Sequence, residues 1–414
     1  MNVNKDQLRS RSSAFSSGSR PRRRSAFALI ALGTVAALGL AGCSGGGSSN
    51  SSATAATGDI TVAVVADLTG AAAASNATAA DGMRAAVQAV NAAGGVKGRN
   101  IKLDVFDSKS TPDGSQVAAR QAVADEPSII AVAALSSGVV ASQAVYEQAG
   151  IPVMTVSAAA ELLDPLKPWY FTAGSTPQQI ANGFVSVTTN ELGTLSGKKI
   201  AFNGLDSSTT NSILAITKTE FEAAGATIVD QEKSSGAITS FTSQAQKIVS
   251  LNADAVISVD LVENFVIVGQ ALTAAGFTGP YIGTEGASSN SVFQRLNNPL
   301  YLGGRSYMPG LPGSASVVAA AAAGVDPSGP YFSLGWAVGN VIAEASKNCA
   351  NACGSDDMTT AVESISSYTP PGDVTFGPLS LSKDRHYAVT AIQYFNWDSA
   401  TQTVVKHGGP IEVK

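Results

Sequence analysis

The sequence predicts an α/β protein made of two doubly wound, Rossmann-like lobes. Three observations lead there. Short β-branched apolar runs alternate with helical stretches of about ten residues or more. The alternation breaks near residues 170–177 and then restarts. At 414 residues the chain also exceeds what one ordinary core serves. Strands separated by helices pair in parallel. Ligands of such sheets gather at the carboxyl ends of the strands, so two facing lobes place a site in the cleft between them.

The N-terminus reads as an export signal over residues 1–42. Arg20–Arg24 (RPRRR) form a basic region, and the apolar run from Ala26 to Ala41 is too short to span a membrane comfortably. Leu40-Ala41-Gly42-Cys43 closes it and resembles the lipobox of bacterial lipoproteins. That resemblance implies that Cys43 is lipidated and becomes the mature N-terminus. Arg23-Arg24 hints at twin-arginine export, but Phe27 falls one position late, which favours the general secretory route. Residues 43–58 are Ser/Gly-rich without apolar period and form a tether, about 20 Å end to end for fifteen such residues.

The body then follows in order. ITVAVV (60–65) is a strand. Met83, Val87 and Val90 at helical spacing give a helix that stops at Gly94-Gly95. IKLDVF (101–106) is a strand, followed by helix 114–124. The run 129–133 is short and β-branched, hence a buried parallel strand. Ser136-Ser137-Gly138 follows, then a helical stretch to Gln148 that stops at Gly150, then the apolar run 151–156. Two roles fit those serines: a plain helix cap, or an anion site at a helix N-terminus with free N–H groups. After WYFTAG (169–174), helices 177–192, 211–224, 241–251 and 262–275 alternate with strands at 199–204, 226–232, 254–259 and 281–283.

Composition and missing motifs narrow the chemistry. The first 24 residues hold seven Lys/Arg and one Asp, so the remaining chain carries 19 basic against 30 acidic residues. An acidic body argues against nucleic-acid binding. There is no Gly-x-Ser-x-Gly elbow, P-loop, HExxH or GxGxxG. Ser-x-x-Lys at Ser196 and Ser380 lacks its companion motifs, and His386 and His407 lack a partnered nucleophile and read as surface residues. An enzyme is therefore not expected, nor a cofactor or metal. Cys349 and Cys353, four apart with no His nearby, point to a local disulfide in an oxidising compartment.

From Ile60 onward the chain resembles the branched-chain amino-acid (Leu/Ile/Val) binding proteins, the type I solute-binding proteins of ABC importers. The carrying residues are ITVAVVADLTG (60–70), AVNAAGGVKGRNIKLDVFDSKSTPDGSQ (89–116), ALSSGVVAS (134–142), EQAGIPVMTVSAA (147–159), FEAAGATIV (221–229), GQALTAAGF (269–277), YIGTEG (281–286) and FGPLSLS (376–382). The resemblance implies a three-crossover hinge, with lobe 1 from 59–175 plus 310–376 and lobe 2 from 176–309 plus 377–414. It implies a small-molecule ligand, an ABC permease and ATPase as partners, attachment to the membrane through the lipid, and a monomer.

Carried over residue by residue, the resemblance assigns Ser136, with Ser137 beside it, to the ligand carboxylate. Ser157, Ala158 and Ala159 match the loop that contacts the head group, where a threonine hydroxyl is lost at Ala159. Glu285 matches the acid that pairs with the ligand ammonium; its alternative is a structural pair with Lys or Arg. The aromatic positions that enclose the side chain fall at Ser75, Thr209 and Asp260, so the cleft is expected to be more polar. Asp260 beside Glu285 would favour a cationic, polyhydroxyl or amide ligand; its alternative is a solvent-facing strand end. Trp169, Tyr170 and Phe171 are expected mainly in the core. The expected function is an extracytoplasmic, lipid-anchored receptor for a small polar solute feeding an importer, with ligand sensing as the alternative role.

Overall fold

The computed structural model describes residues 58–308, 310–349 and 353–413. The export signal, Cys43 and residues 43–57 of the tether lie outside the described residues. The first sheet holds β1 (Ile60–Ala66), β2 (Ile101–Asp107), β3 (Ile129–Ala133), β4 (Val153–Thr155) and β5 (Tyr170–Thr172), all parallel, in the order β2-β1-β3-β4-β5. Every residue of β3 is buried, as its unbroken apolar run demands of a strand covered on both faces.

The helices of this lobe are α1 (Ala73–Ala92), α2 (Pro112–Ala124), α3 (Ser136–Ala141), α4 (Gln143–Ala149) and the single turn α5 (Ala160–Leu163). Thr111 caps α2 by accepting the Gly114 N–H, with Pro112 at the first helical position. The stretch after Ser136 is two short helices rather than one. At the break, the Ser142 hydroxyl donates to the Gly138 carbonyl 2.9 Å away, a bond that bends helices.

Next come α6 (Pro177–Leu192), β6 (Lys199–Leu205), α7 (Ser208–Ala223), β7 (Thr227–Ser234), α8 (Thr242–Ser250), β8 (Ala255–Val259), α9 (Val262–Ala274), β9 (Tyr281–Gly283), α10 (Asn290–Leu296) and β10 (Tyr301–Arg305). A capping box opens α6: the Thr176 hydroxyl and the Gln179 side chain each accept from the other's backbone N–H. Helices α11 (Ala315–Ala323), α12 (Phe332–Asn348) and α13 (Ser355–Glu363) follow, and then the hairpin of β11 (Ala391–Asp398) and β12 (Thr403–Glu412). The second sheet runs β12-β11-β10-β9-β8-β6-β7, parallel from β7 to β10 and antiparallel at β11 and β12.

The chain crosses between lobes three times. It leaves the first sheet after β5. After β10 it returns as α11 and α12, which pack on α1. It then runs beside β5, where the Thr172 N–H donates to the His386 carbonyl (2.8 Å) and Ala388 N–H to Thr172 (2.9 Å), before entering β11. Hydrogen bonds tie the first two crossings together, from the Tyr307 hydroxyl to the Ala173 carbonyl (2.6 Å) and between the Ser175 and Ser306 hydroxyls. Helices α1 and α12 touch backbone to backbone: a Cβ at Gly335 would lie 1.9 Å from the Ala79 carbonyl oxygen.

Trp169, Tyr170 and Phe171 are core residues. His386 corrects the surface expectation: it is 1% exposed, its Nδ1 lies 2.9 Å from the Tyr170 carbonyl, and its ring lies against Phe171. Residues 386–388 extend the first sheet, which places that side chain inside. His407 is partly exposed and pairs with Glu191 at 2.6 Å. Cys349 and Cys353 form a disulfide with a Cα separation of 5.2 Å. Among the described residues no helix is long and apolar enough to cross a membrane.

Candidate functional site

The carboxyl ends of β1, β3 and β4 face those of β6, β8 and β9 across a cavity of about 180 Å³. At 10–15 Å³ per water that is room for roughly a dozen waters, the scale of a small metabolite. Two carboxylates, the buried Asp67 and the half-buried Asp260, hold the loops around the cavity. Asp67, the residue after β1, is fully buried and accepts from Asn76 Nδ2 (2.8 Å), the Ser108 hydroxyl, and the N–H groups of Ser110 and Leu135 (3.0 Å each). It thereby fixes the loop that carries Ser136. Asp67→Ala strands four donors in a dry site and is expected to cost about 3 kcal/mol in a urea titration, with ligand affinity lost alongside.

Asp260, after β8, is the counterpart in the other lobe. Its oxygens accept from Asn203 Nδ2 (3.2 Å), the Ser234 hydroxyl (2.9 Å), Asn264 Nδ2 (2.8 Å) and its neighbour Leu261 N–H (2.7 Å). Burial raises its pKa, while these donors pull the other way. Asp260 lines the cleft, but its lone pairs are committed to protein donors from β6, β7 and α9. It is neither a solvent-facing strand end nor an uncommitted anion.

Glu285 differs. It opens a 3₁₀ turn after β9 and lines the cleft. Its Oε2 accepts a long bond from the Ser306 N–H (3.4 Å), and its buried Oε1 has no partner among the described residues. Burial pushes the carboxyl up to about 7, opposed first by the Arg305 charge and then by the Ser306 and Tyr307 groups. Arg305 itself is buried and donates to the carbonyls of Tyr307 (2.9 Å), Ser288 (3.1 Å) and Pro330 (3.3 Å). No hydrogen bond joins it to Glu285. A donor, above all a cation, is what Oε1 lacks.

Ser75, Ser136, Ser157, Ala158 and Thr209 join Asp260 and Glu285 around the same cavity, and Ser137 and Ala159 do not line it. Ala159 is packed in the first lobe's core, and its N–H donates to the Tyr170 hydroxyl at 2.9 Å. Ser136 is 5% exposed, and its hydroxyl has no protein partner among the described residues. The Thr209 hydroxyl donates to the Ala158 carbonyl at 3.1 Å, a hydrogen bond from lobe to lobe.

The wall is less polar than the sequence suggested. Leu205, Ile213, Val259, Leu261 and Val262 line it from the second lobe, with two aromatic rings, Tyr331 and Tyr394, that sequence reasoning missed. The available signals were weak: an aromatic one residue before the start of α12, and the alternation of Ile392 and Tyr394 along β11.

Two doubly wound lobes, three crossings and a cleft lined from both lobes define the type I periplasmic binding protein fold. The chain belongs to the periplasmic binding protein family, which it matches over residues 59–402. That family is one of binding proteins, so this chain is a ligand-binding protein, not an enzyme. The family implies a small-molecule ligand and an extracytoplasmic location.

Solved structures agree in fold. The branched-chain amino acid transporter substrate binding protein LivJ from Streptococcus pneumoniae, in complex with isoleucine, is 18% identical with a TM-score of 0.70, covering 86% of this chain and 99% of its own. An ABC transporter substrate-binding protein from Sphaerobacter thermophilus is 21% identical with a TM-score of 0.72, covering 86% and 98%. A fatty acid ABC transporter substrate-binding protein from Thermomonospora curvata is 18% identical with a TM-score of 0.72, covering 86% and 93%. No curated protein sequence matches the chain.

Proposed function

We propose that this chain is a monomeric, lipid-anchored solute-binding protein that captures an α-amino acid or its amide between its lobes and delivers it to an ABC import permease. Lobe 1 comprises 59–175 with 310–388, and lobe 2 comprises 176–309 with 389–414; the third crossing falls later than 377 because residues 386–388 pair with β5. Cys43 carries the lipid, and residues 43–58 tether the lobes to the membrane. The observation that carries the ligand class is the pairing of an unpartnered hydroxyl on one lobe, Ser136, with an unpartnered carboxylate oxygen on the other, Glu285. The first suits a ligand carboxylate or carbonyl and the second an ammonium, while the aliphatic wall takes the side chain.

Among the structural neighbours one is described with isoleucine and one as a fatty acid transporter protein. The cleft favours the amino acid. No Lys or Arg lines it, so a bare fatty-acid carboxylate would meet Glu285 without a cation to hold it.

The test is thermal unfolding against aliphatic amino acids, their amides and fatty acids. A bound amino acid at a hundred times its Kd is expected to raise Tm by about 4 °C, from about 2.7 kcal/mol of linkage. Ser136→Ala should weaken that ligand about tenfold, the loss of one charge-assisted bond. Stabilisation by fatty acids alone sinks the proposal.

A further inference from the structure

Four buried tyrosine hydroxyls in this protein donate to backbone carbonyls. Tyr170 donates to the Ser157 carbonyl (2.7 Å), Tyr281 to Phe265 (3.1 Å), Tyr307 to Ala173 (2.6 Å), and Tyr301 to Ala287. Tyr394 is equally deep, at 3% exposure, yet its hydroxyl bonds to no protein group among the described residues. Burial is the sole influence on its titration, which it drives far upward, so the phenol stays neutral. The hydroxyl is not one of the fully enclosed orphaned polar atoms, and Tyr394 lines the cleft, so its donor is free to meet a ligand there.

The surroundings are shaped to the ring. Tyr394 sits on β11 opposite Gly304 of β10, and its side chain reaches Gly183 of α6. A Cβ at Gly304 would lie 2.8 Å from the ring carbon Cε1, and one at Gly183 would lie 3.0 Å from the hydroxyl oxygen. Two glycines on two elements thus leave a slot that a methyl group would fill. The slot opens on the cleft, at its hinge side, where Ser175, Ser306 and Ile392 also line it. Ser175 and Ser306 are bonded to each other. The Tyr394 hydroxyl is therefore the uncommitted polar group at that end.

We propose that Tyr394 is a specificity residue whose hydroxyl donates to a neutral oxygen at the far end of the ligand side chain. The ligand is then an amino acid with a distal carboxamide, hydroxyl or ether oxygen rather than a plain aliphatic one. This rests on the amino-acid reading above: Ser136 and Glu285 hold the head group, and Tyr394 reads the tail. A site built to hydrogen-bond such an oxygen rejects the analogue without it, because the phenol is left unpaired.

The test uses L-glutamine and L-norleucine, titrated calorimetrically into the wild type and Tyr394→Phe, which keeps the ring and removes the hydroxyl. The wild type is expected to bind glutamine at least tenfold more tightly than norleucine. In the variant, glutamine should weaken about tenfold while norleucine is unchanged, which also serves as the check that the variant is folded. A variant that weakens both ligands alike, or neither, overturns the proposal, as does a wild type that prefers norleucine. If the wild type binds neither, the amino-acid reading itself fails, a result distinct from the failure of Tyr394 as its tail reader.

Discussion

At pH 7 the binding of an amino acid is expected to release about half a proton, and Glu285→Gln is expected to abolish that release and weaken binding about a hundredfold. With its pKa raised to about 7, the Glu285 carboxyl is about half protonated at that pH. A ligand ammonium beside Oε1 favours the ionised form and expels the remaining proton. Titration in buffers of different ionisation enthalpy measures the release directly. Loss of a partner from a desolvated charge pair costs 2–5 kcal/mol, and about a hundredfold lies at the low end of that range.

The same group leaves a signature in the ligand-free protein. Its folded-state pKa of about 7 lies above the 4.5 of an unperturbed glutamate, so the folded protein binds the proton more tightly than the unfolded chain. The stability this contributes is present below pH 4.5 and is lost as pH rises through 7, by at most about 3 kcal/mol. Measured against Glu285→Gln, the wild type should lose ground over that window and then level off. A stability difference flat from pH 4.5 to 8 would show that the carboxyl titrates normally.

Gly335→Val is expected to destabilise the protein by upwards of about 4 kcal/mol, read as a fall in the urea midpoint. The new Cβ would meet the Ala79 carbonyl oxygen at 1.9 Å, and at Gly82 the reciprocal contact is the Phe332 carbonyl at 2.1 Å. Both obstacles are backbone and cannot rotate aside, so α1 and α12 must part. Ser75 and Asn76 at the start of α1 and Tyr331 just before α12 line the cleft, so ligand affinity should fall as well. Ala321→Val, on the exposed face of α11, is the control and should stay within about 0.5 kcal/mol.

The central alternation was legible because its strands are β-branched and buried on both faces and its helices carry caps, as Thr176-Pro177 at α6 illustrates. The later elements were not. β10 is YLGGR, with two glycines where apolar residues would announce a strand. β12 contains Gly408-Gly409-Pro410, acceptable because it is the sheet's edge and needs no donor on its outer side. α11 is six alanines in nine residues and has no polar face to mark its period.

In the site, the resemblance pointed to Ser136 and Glu285 but could not show what Asp260 touches. Its donors come from residues 57, 26 and 4 positions away, and only the folded sheet brings them together. Tyr331 and Tyr394 escaped for a related reason. They enter the cleft from elements beyond the aligned aromatic positions.

The hairpin at the end of the chain also bears on how the molecule is made. β11 lies between β10 and β12, and the Gln179 amide of the opening turn of α6 donates to the carbonyl of Val389, more than two hundred residues later. A chain emerging N-terminus first therefore exposes the open edge of β10 until nearly its last residues have been delivered. Contacts so distant along the chain slow folding, because the ordering of long loops precedes the contacts that reward it. Until then that bare edge invites pairing with another chain, and truncation near residue 390 should yield an aggregating product rather than a smaller receptor.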